Sequence, residues 1–278
     1  MTNKTHIPFS VCMSVYKNDH AADFRAALRS VTIEQTVAPD EIVLVADGPI
    51  SEKLHRVISE FATEYTNLQF IQLPTNQGHA IARQTAIDTA SNEWVAIMDS
   101  DDIADQQRFE KQLEYIAAHP TVDILGGQII EFAHTPDQVT GKRIVPCTNE
   151  QIKTYLKSRC PMNFVTIMLR KKALSKVGGI TDWYCEEDYY LWIRMAQHGC
   201  VFANLPDTLV YVRVGNGMYA RRGGWKYFTS ERGIQRYMLR HRIIALPRYL
   251  YNVIGRFVIQ VCIPDRLRAF IFQTLFRK

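Results

Sequence analysis

The sequence predicts an α/β fold: a Rossmann-type, mostly parallel sheet flanked by helices, followed by a basic, amphipathic helical extension. Three observations predict it. Residues 8–131 alternate short apolar runs with longer segments of helical periodicity. Strands separated by helices of about ten to fifteen residues imply right-handed crossovers and a sheet covered on both faces. The run Trp94-Val95-Ala96-Ile97-Met98 has no polar interruption and stops at Asp99-Ser100-Asp101-Asp102, which reads as a doubly buried strand ending in carboxylates. Finally, the charge is divided. Residues 1–218 carry 20 Lys+Arg against 26 Asp+Glu, whereas residues 219–278 carry 13 against 2.

Taken in order, residues 9–15 form an apolar strand, and residues 21–33 a helix with Ala22, Leu28 and Val31 facing inward. Residues 41–46 are a second buried strand ending at Asp47-Gly48. A helix over 54–65, a strand over 68–73 and a helix over 80–90, opened by Asn76-Gln77-Gly78, lead to the central strand. A helix over 108–118 and a strand over 122–130 close this half. Beyond it the pattern predicts a polar loop over 133–146, a short helix over 150–158 and a strand over 164–169. Glu186-Glu187-Asp188 then opens a helix whose apolar face is Tyr189, Trp192, Ile193 and Ala196, and residues 209–214 form a last strand.

Parallel strands bring their carboxyl ends to one edge, where ligands of open α/β sheets gather. That edge would collect Tyr16, Asp47, Asn76, Gly78 and the aspartates. Closely spaced carboxylates repel unless a cation lies among them, which suits Mg²⁺ or Mn²⁺ with oxygen ligands; a solvated turn capping the helix near Gln106 is the bland alternative. With an aromatic ring, a lone carboxylate and a metal cluster, the edge suits a nucleoside diphosphate. Tyr16 would pack on base or ribose, Asp47 would accept a base N–H, and the helix N-terminus at Gly78 would favour the anion. Asp47-Gly48 is also a common turn pair, and Asn76 and Gly78 are ordinary helix-entry residues. No G-x-G-x-x-G follows the first strand, which argues against a dinucleotide dehydrogenase.

In this ordered set the chain resembles the family 2, GT-A fold glycosyltransferases. The resemblance rests on Ser14-Val15-Tyr16, Val45-Ala46-Asp47-Gly48, Asn76-Gln77-Gly78 with Ala82-Arg83, and Asp99-Ser100-Asp101-Asp102. It extends to Val177-Gly178-Gly179 and Glu187-Asp188. It covers roughly residues 8–214, and the second half looks like bacterial enzymes that assemble exopolysaccharide, capsule or O-antigen repeat units. The resemblance implies a catalytic domain over 1–217, divided into a nucleotide-sugar half (8–131) and an acceptor half (132–217). Donor-binding residues would be Tyr16, Asp47, Asn76, Gly78, Arg83 and Asp99, with Asp99 on the ribose side. Asp101, with Asp99 as a second candidate, would hold Mn²⁺ or Mg²⁺, and Asp188 would be the catalytic base of an inverting transfer. Trp183 and Tyr184 would be free to stack on a sugar, and Arg194 would pair with an acid in the helix layer. The pattern departs where many relatives place a metal-binding histidine after the last strand; here Gly215-Asn216-Gly217 follows. Arg221-Arg222-Gly223-Gly224-Trp225 is only loosely like the Q-x-x-R-W signature of processive synthases, so one sugar per encounter is expected.

The region 218–278 is read separately. From 248 to 261 the polar positions Arg248, Asn252, Arg256 and Gln260 form a stripe four residues apart, and residues 266–278 repeat the theme. Broad apolar faces edged by arginine suit helices lying in an anionic membrane interface, or packing on the protein or on a second copy in a homo-oligomer. No nucleic-acid motif is present. The first residues lack the apolar core of a signal peptide, and no apolar run is long enough to span a bilayer. The six cysteines lack metal or framework spacing and are expected to be mostly buried thiols.

The expected activity is transfer of a hexose from a nucleoside diphosphate, UDP above all, to a lipid-linked oligosaccharide at the inner face of the cytoplasmic membrane. The alternatives are a sugar-phosphate nucleotidyltransferase and a non-catalytic nucleotide-sugar-binding protein. The former would want a Gly-rich, Arg-containing loop where Lys17-Asn18-Asp19 stands.

Overall fold

Three apolar runs of the first half become the centre of a sheet because each can bury both faces. In a computed structural model, which describes residues 6–215 and 223–263, they are β1 (Phe9–Val15), β2 (Glu41–Ala46) and β4 (Trp94–Met98). A fourth strand, β3 (Leu68–Gln72), is half-exposed at the edge. α1 (Ala21–Ser30), α2 (Glu52–Glu64) and α3 (His79–Thr89) are the crossovers. The second half adds β5 (Ile103–Ala104), α4 (Arg108–Ala118), β6 (Ile124–Phe132), β7 (Val139–Arg143), α5 (Asn149–Leu156) and β8 (Met168–Arg170). α6 (Lys171–Ser175), α7 (Glu187–Gln197) and β9 (Phe202–Arg213) follow, then α8 (Gly224–Arg240) and α9 (Leu246–Phe257), which runs on as a π-helical turn over Val258–Cys262.

The strand order is β3-β2-β1-β4-β8-β6-β9-β5, with β7 paired to β6. β1 to β4 are mutually parallel, β8 runs antiparallel to β4 and β6, and β9 is parallel to β6. Side chains alternate between two cores. Ile42, Leu44 and Ala46 join Phe9, Leu28 and Phe109, while Val43 and Val45 join Ile87, Trp192 and Met238. That period of two explains why runs without polar residues were needed.

The sequence expectations need correction at several places. The first helix stops at Ser30, and Ala22 is exposed; Phe24, Ala27 and Leu28 face the core instead, with Val31 buried just beyond the end. The polar loop expected over 133–146 contains β7, four of whose five residues pair with β6 and which carries no apolar alternation. Residues Phe164–Thr166 form a 3-10 turn before β8, because the Thr166 hydroxyl donates to the Asn163 carbonyl at 2.7 Å and Asn163 Nδ2 donates to Gly127 at 2.8 Å. The last strand begins at Phe202 and continues through Pro206, a residue that reads as a break; register shifts opposite Gly126 and Gln128 absorb it. Cys12 and Cys200 alone among the six cysteines are buried, and all six are unbridged.

The basic C-terminal region is joined to the body. Ile234 and Met238 of α8 lie in the same core as Tyr189 and Trp192. α9 packs with its polar stripe inward. Asn252 Nδ2 donates to the Lys157 carbonyl (2.9 Å) and to Gln235 Oε1 (2.8 Å). Arg256 pairs with Glu231 at 2.8 Å and donates to the Ser158 carbonyl at 2.6 Å, and Gln260 also bonds Glu231. The apolar side therefore faces out: Leu250 is 47% exposed, Tyr251 74%, Ile254 59% and Phe257 36%. This inverts the usual surface helix. The repeated theme over 266–278 lies outside the described residues. Among the described residues no helix is long and apolar enough to cross a membrane.

Candidate active site

The parallel register puts the carboxyl ends of β1, β2 and β4 on one edge. Tyr16, just past β1, is exposed there. Asp47, just past β2, is buried, and its carboxylate accepts from the Gln77 amide (2.7 Å), the Gly78 amide (3.0 Å) and Asn76 Nδ2 (2.8 Å). The anion held by the entrance to α3 is thus Asp47 itself. A carboxylate offers about four acceptor sites, so these bonds leave room for about one further N–H. Gly48 permits this closeness: its φ is +87°, and a Cβ there would lie 2.6 Å from the Asn76 nitrogen.

The aspartate turn after β4 is tied from several sides. Arg83, largely buried on α3, donates to Asp99 Oδ1 at 2.6 Å and lies over the Phe164 ring at 4.4 Å. Burial alone would raise the Asp99 pKa, but Arg83 and then His79 hold it below the ordinary carboxylate range. His79 approaches the same oxygen at 3.9 Å. Arg83 first and burial second push the His79 pKa down to about 4, so it is neutral at pH 7. Asp101 is exposed, yet its carboxylate is crowded. Desolvation, then repulsion from Asp99 and Asp19, raises its pKa to about 6. Asp102 is buried, and desolvation, then Asp99 and Asp101, raise its pKa well above the ordinary carboxylate range. Behind the turn Arg108 is wholly buried and donates to the Ile97 carbonyl at 2.9 Å; burial lowers its pKa to about 9 against the pull of Asp102 and Asp99.

Sequence reasoning missed two residues here. Asp19 accepts from the Ser100 hydroxyl at 2.7 Å and from the Tyr16 amide at 3.0 Å, which brings a further carboxylate to the turn. Its place shortly after a strand end was the available signal. Arg213 at the end of β9 donates its amide to Asp102 Oδ1 (2.8 Å) and its Nε to the Asp101 carbonyl (3.2 Å), and pairs with Asp23 at 2.9 Å. It clamps the turn near the place where the pattern led one to look for a histidine. Asn216 and Gly217 lie outside the described residues.

α7 opens on two carboxylates, Glu187 and Asp188. Glu187 turns toward the aspartate turn, 3.7 Å from Arg83 Nη1, so one guanidinium joins α7 to the end of β4. Burial, then Asp188, raises its pKa. Asp188 lines a cavity of about 570 Å³ between residues 158–160, α8 and α9. The Cys160 thiol donates to its Oδ2 at 3.3 Å, a contact that spacing could not reveal. Two expectations change, those for Trp183 and Arg194. Trp183 is taken up by the fold, donating Nε1 to the Ser230 carbonyl at 3.2 Å and packing on Tyr190, so it is no free sugar platform. Tyr184 is exposed under Lys226. Among the described residues Arg194 pairs with no acid; it donates to the carbonyls of Val177 and Gly179, each at 2.7 Å, and so fixes the Gly178-Gly179 turn.

Among the described residues no group of three or more His, Cys, Asp or Glu side chains converges on a metal position. The donor set still fits a hard cation. Desolvation first, then repulsion from Asp99 and Asp19, raises the Asp101 pKa, and a cation among these carboxylates would relieve that repulsion. Mg²⁺ or Mn²⁺ takes one or two carboxylates and completes its shell with water and phosphate oxygens.

Residues 10–178 match the family model described as glycosyl transferase family 2. The chain is 38% identical to an uncharacterized glycosyltransferase of Haemophilus influenzae, over 97% of this chain and 99% of that one. It is 32% identical to the UDP-Gal:alpha-D-GlcNAc-diphosphoundecaprenol beta-1,3-galactosyltransferase of Escherichia coli, with 97% of each chain covered. It is 36% identical to the amylovoran biosynthesis glycosyltransferase AmsE of Erwinia amylovora, over 84% of this chain and 85% of that one. Its fold is shared with the mannosyltransferase PcManGT of Pyrobaculum calidifontis, solved with GDP-Man and Mn²⁺. That match has a TM-score of 0.64 at 16% identity, over 95% of this chain and 73% of that one.

Proposed function

The chain belongs to glycosyl transferase family 2 and is a glycosyltransferase; from that premise we propose that it moves a hexose from a UDP-sugar to a sugar carried on a lipid diphosphate, with inversion, in cell-surface polysaccharide assembly. One observation carries the reading: Arg83 ties Asp99 at the β4 end to Glu187 in the first turn of α7, next to Asp188 in the chain. The UDP donor and the diphosphate-linked acceptor are those named for the relative 32% identical over nearly the whole chain.

Tyr16 and Asp47 flank the nucleoside and Asp99 its ribose side. Asp99 and Asp101 would hold Mn²⁺ or Mg²⁺, which when bound supplies positive charge to the diphosphate oxygens. Asp188 takes the proton of the acceptor hydroxyl. The hydroxyl oxygen forms its bond to the anomeric carbon from the face opposite the diphosphate, the bond from that carbon to the diphosphate breaks, and UDP leaves. Arg83 keeps Asp99 ionised and steadies Glu187 beside the base. The test is incubation with UDP-, GDP- and dTDP-hexoses, Mn²⁺ and a sugar-diphosphate lipid. Free UDP with a lengthened glycan is the expected result. Pyrophosphate release would indicate a nucleotidyltransferase, and binding without turnover a non-catalytic protein.

Peripheral attachment to the inner face of the cytoplasmic membrane belongs to the same proposal. The outward apolar side of α9 and the basic balance of residues 219–278 suit an anionic bilayer surface. Removing α9 would strip Gln235 and Glu231 of buried partners, so a point change is the cleaner probe. Ile254→Asp, at a residue 59% exposed, should lower co-sedimentation with anionic liposomes at low salt while the melting temperature stays near wild type. Unchanged sedimentation would count against membrane docking by this face.

A further inference from the structure

We propose that Cys160 is a positioning residue for the transfer: its thiol, anchored to the sheet through residues 160–163, holds the Asp188 carboxylate in place to receive the proton of the acceptor hydroxyl. The proposal rests on the reading of Asp188 as the base, and it names what aims that base.

Asp188 is half-buried in the first turn of α7, and its carboxylate is held at both oxygens. Oδ1 accepts from the Tyr189 amide at 2.6 Å, and Oδ2 accepts from the Cys160 thiol at 3.3 Å. A carboxylate offers about four acceptor sites, so about two stay open to a hydroxyl arriving from the cavity that both residues line. The Tyr189 amide belongs to the next residue of the same helix. The thiol comes from a segment 28 residues earlier, so it ties the carboxylate to a different part of the fold.

That segment is itself pinned. Arg143, at the end of β7, donates Nη2 to the Cys160 carbonyl at 2.9 Å. Asn204 of β9 donates Nδ2 to the Pro161 carbonyl at 3.3 Å, and Asn163 donates Nδ2 to the Gly127 carbonyl of β6 at 2.8 Å. Three neighbouring strands therefore fix the backbone that carries the thiol.

A thiol suits this role. S–H is a weak donor, and a hydrogen bond to the ionised carboxylate lowers its basicity in step with the strength of the bond. Cys160 thus orients the base at little cost to the proton affinity that a general base needs. The thiol also keeps its proton: desolvation first, then the charge of Asp188, push its pKa well above the ordinary thiol value, against the pull of Arg143. It is a donor here, not a nucleophile. Its single hydrogen has two acceptors in reach, Asp188 Oδ2 at 3.3 Å and the Met162 carbonyl at 3.5 Å, and the nearer one is charged.

Other ionisable groups surround Asp188. Glu186 and Glu187 precede it, and Tyr155, Tyr227 and Glu231 share the cavity wall with Arg143, Arg159, Arg248 and Arg256. All of them are kept in variants at position 160, so a difference between those variants isolates the thiol.

The experiment follows UDP release by the full chain at saturating Mn²⁺, UDP-hexose and sugar-diphosphate lipid, from about pH 5 to about pH 9. The base works ionised, so kcat falls as pH drops. Cys160→Ala should lower the kcat plateau roughly three- to tenfold and move the acid limb to higher pH, because the ionised carboxylate loses a donor. UDP affinity measured by calorimetry should stay at the wild-type value. Cys160→Ser should bring the limb back below that of Cys160→Ala, since a hydroxyl is the stronger donor. In parallel, the infrared S–H stretching band of Cys160, isolated by difference against Cys160→Ala, should move to higher frequency in Asp188→Ala. An unmoved band would assign the thiol to the Met162 carbonyl and overturn the proposal. If Asp188→Asn cuts turnover while both Cys160 variants keep the wild-type plateau and limb, the positioning role is wrong and the base assignment stands. If Asp188→Asn keeps turnover, or wild type releases no UDP from any UDP-hexose, both fall.

Discussion

Asp188→Asn is expected to cut turnover roughly 10²- to 10⁴-fold with donor affinity nearly unchanged. The substitution preserves shape, and the amide oxygen can still accept from the Cys160 thiol now 3.3 Å from Oδ2. It removes only the ability to take a proton as the acceptor hydroxyl attacks. Glu187→Gln should cost less. Burial and the neighbouring Asp188 raise the Glu187 pKa, and its 3.7 Å approach to Arg83 gives it a supporting part on the donor side. Steady-state kinetics with calorimetry of UDP binding separates the two. If Glu187→Gln proves the more damaging for kcat, the base is Glu187 and Asp188 is its support.

Asp101→Asn should bring UDP affinity in the presence of Mn²⁺ down to the metal-free level, with the fold retained, because Asp101 is exposed on its turn. The same residue sets a pH dependence. Its folded pKa, about 6, lies above the ordinary carboxylate value, so the folded protein holds the proton longer than the unfolded chain. In metal-free protein, stability should therefore decline as pH rises from about 4 to about 6 and stay lower above that. A cation competes with the proton. Mn²⁺-dependent UDP affinity should fall as pH drops through about 6, and Mn²⁺ should raise the melting temperature more at pH 7 than at pH 5. Asp101→Asn should abolish both trends. Calorimetry that finds UDP affinity with Mn²⁺ unaffected by the substitution would remove Asp101 from the metal site.

The tail shows how a pattern can be read correctly and oriented only by structure. A stripe at Arg248, Asn252, Arg256 and Gln260 is visible in sequence, and so is the apolar remainder. Periodicity reports that a helix has two faces. Which face meets protein depends on the partners opposite. Here Lys157, Ser158, Glu231 and Gln235 offer carbonyls, an amide and a carboxylate, so the polar stripe packs inward. Most of the polar groups buried at this contact are hydrogen-bonded, which lowers the cost of burying them, and the apolar side is left outside.

By itself the sequence determined the parallel first half, the edge where Tyr16, Asp47, Asn76, Gly78 and Asp99 to Asp102 gather, and the helix that Glu187 and Asp188 open. Doubly buried strands and helix faces are local patterns, and each is written in neighbouring residues. Tertiary structure decided the rest, because it depends on pairs far apart in the chain. Only the fold brings Arg213 to the aspartates, Cys160 to Asp188 and Asp19 to Ser100. It also turned Trp183 and Arg194 to structural work and made β7 from residues with no apolar pattern. Side-chain chemistry proposes a partner, but distance in space, which sequence spacing does not encode, selects it.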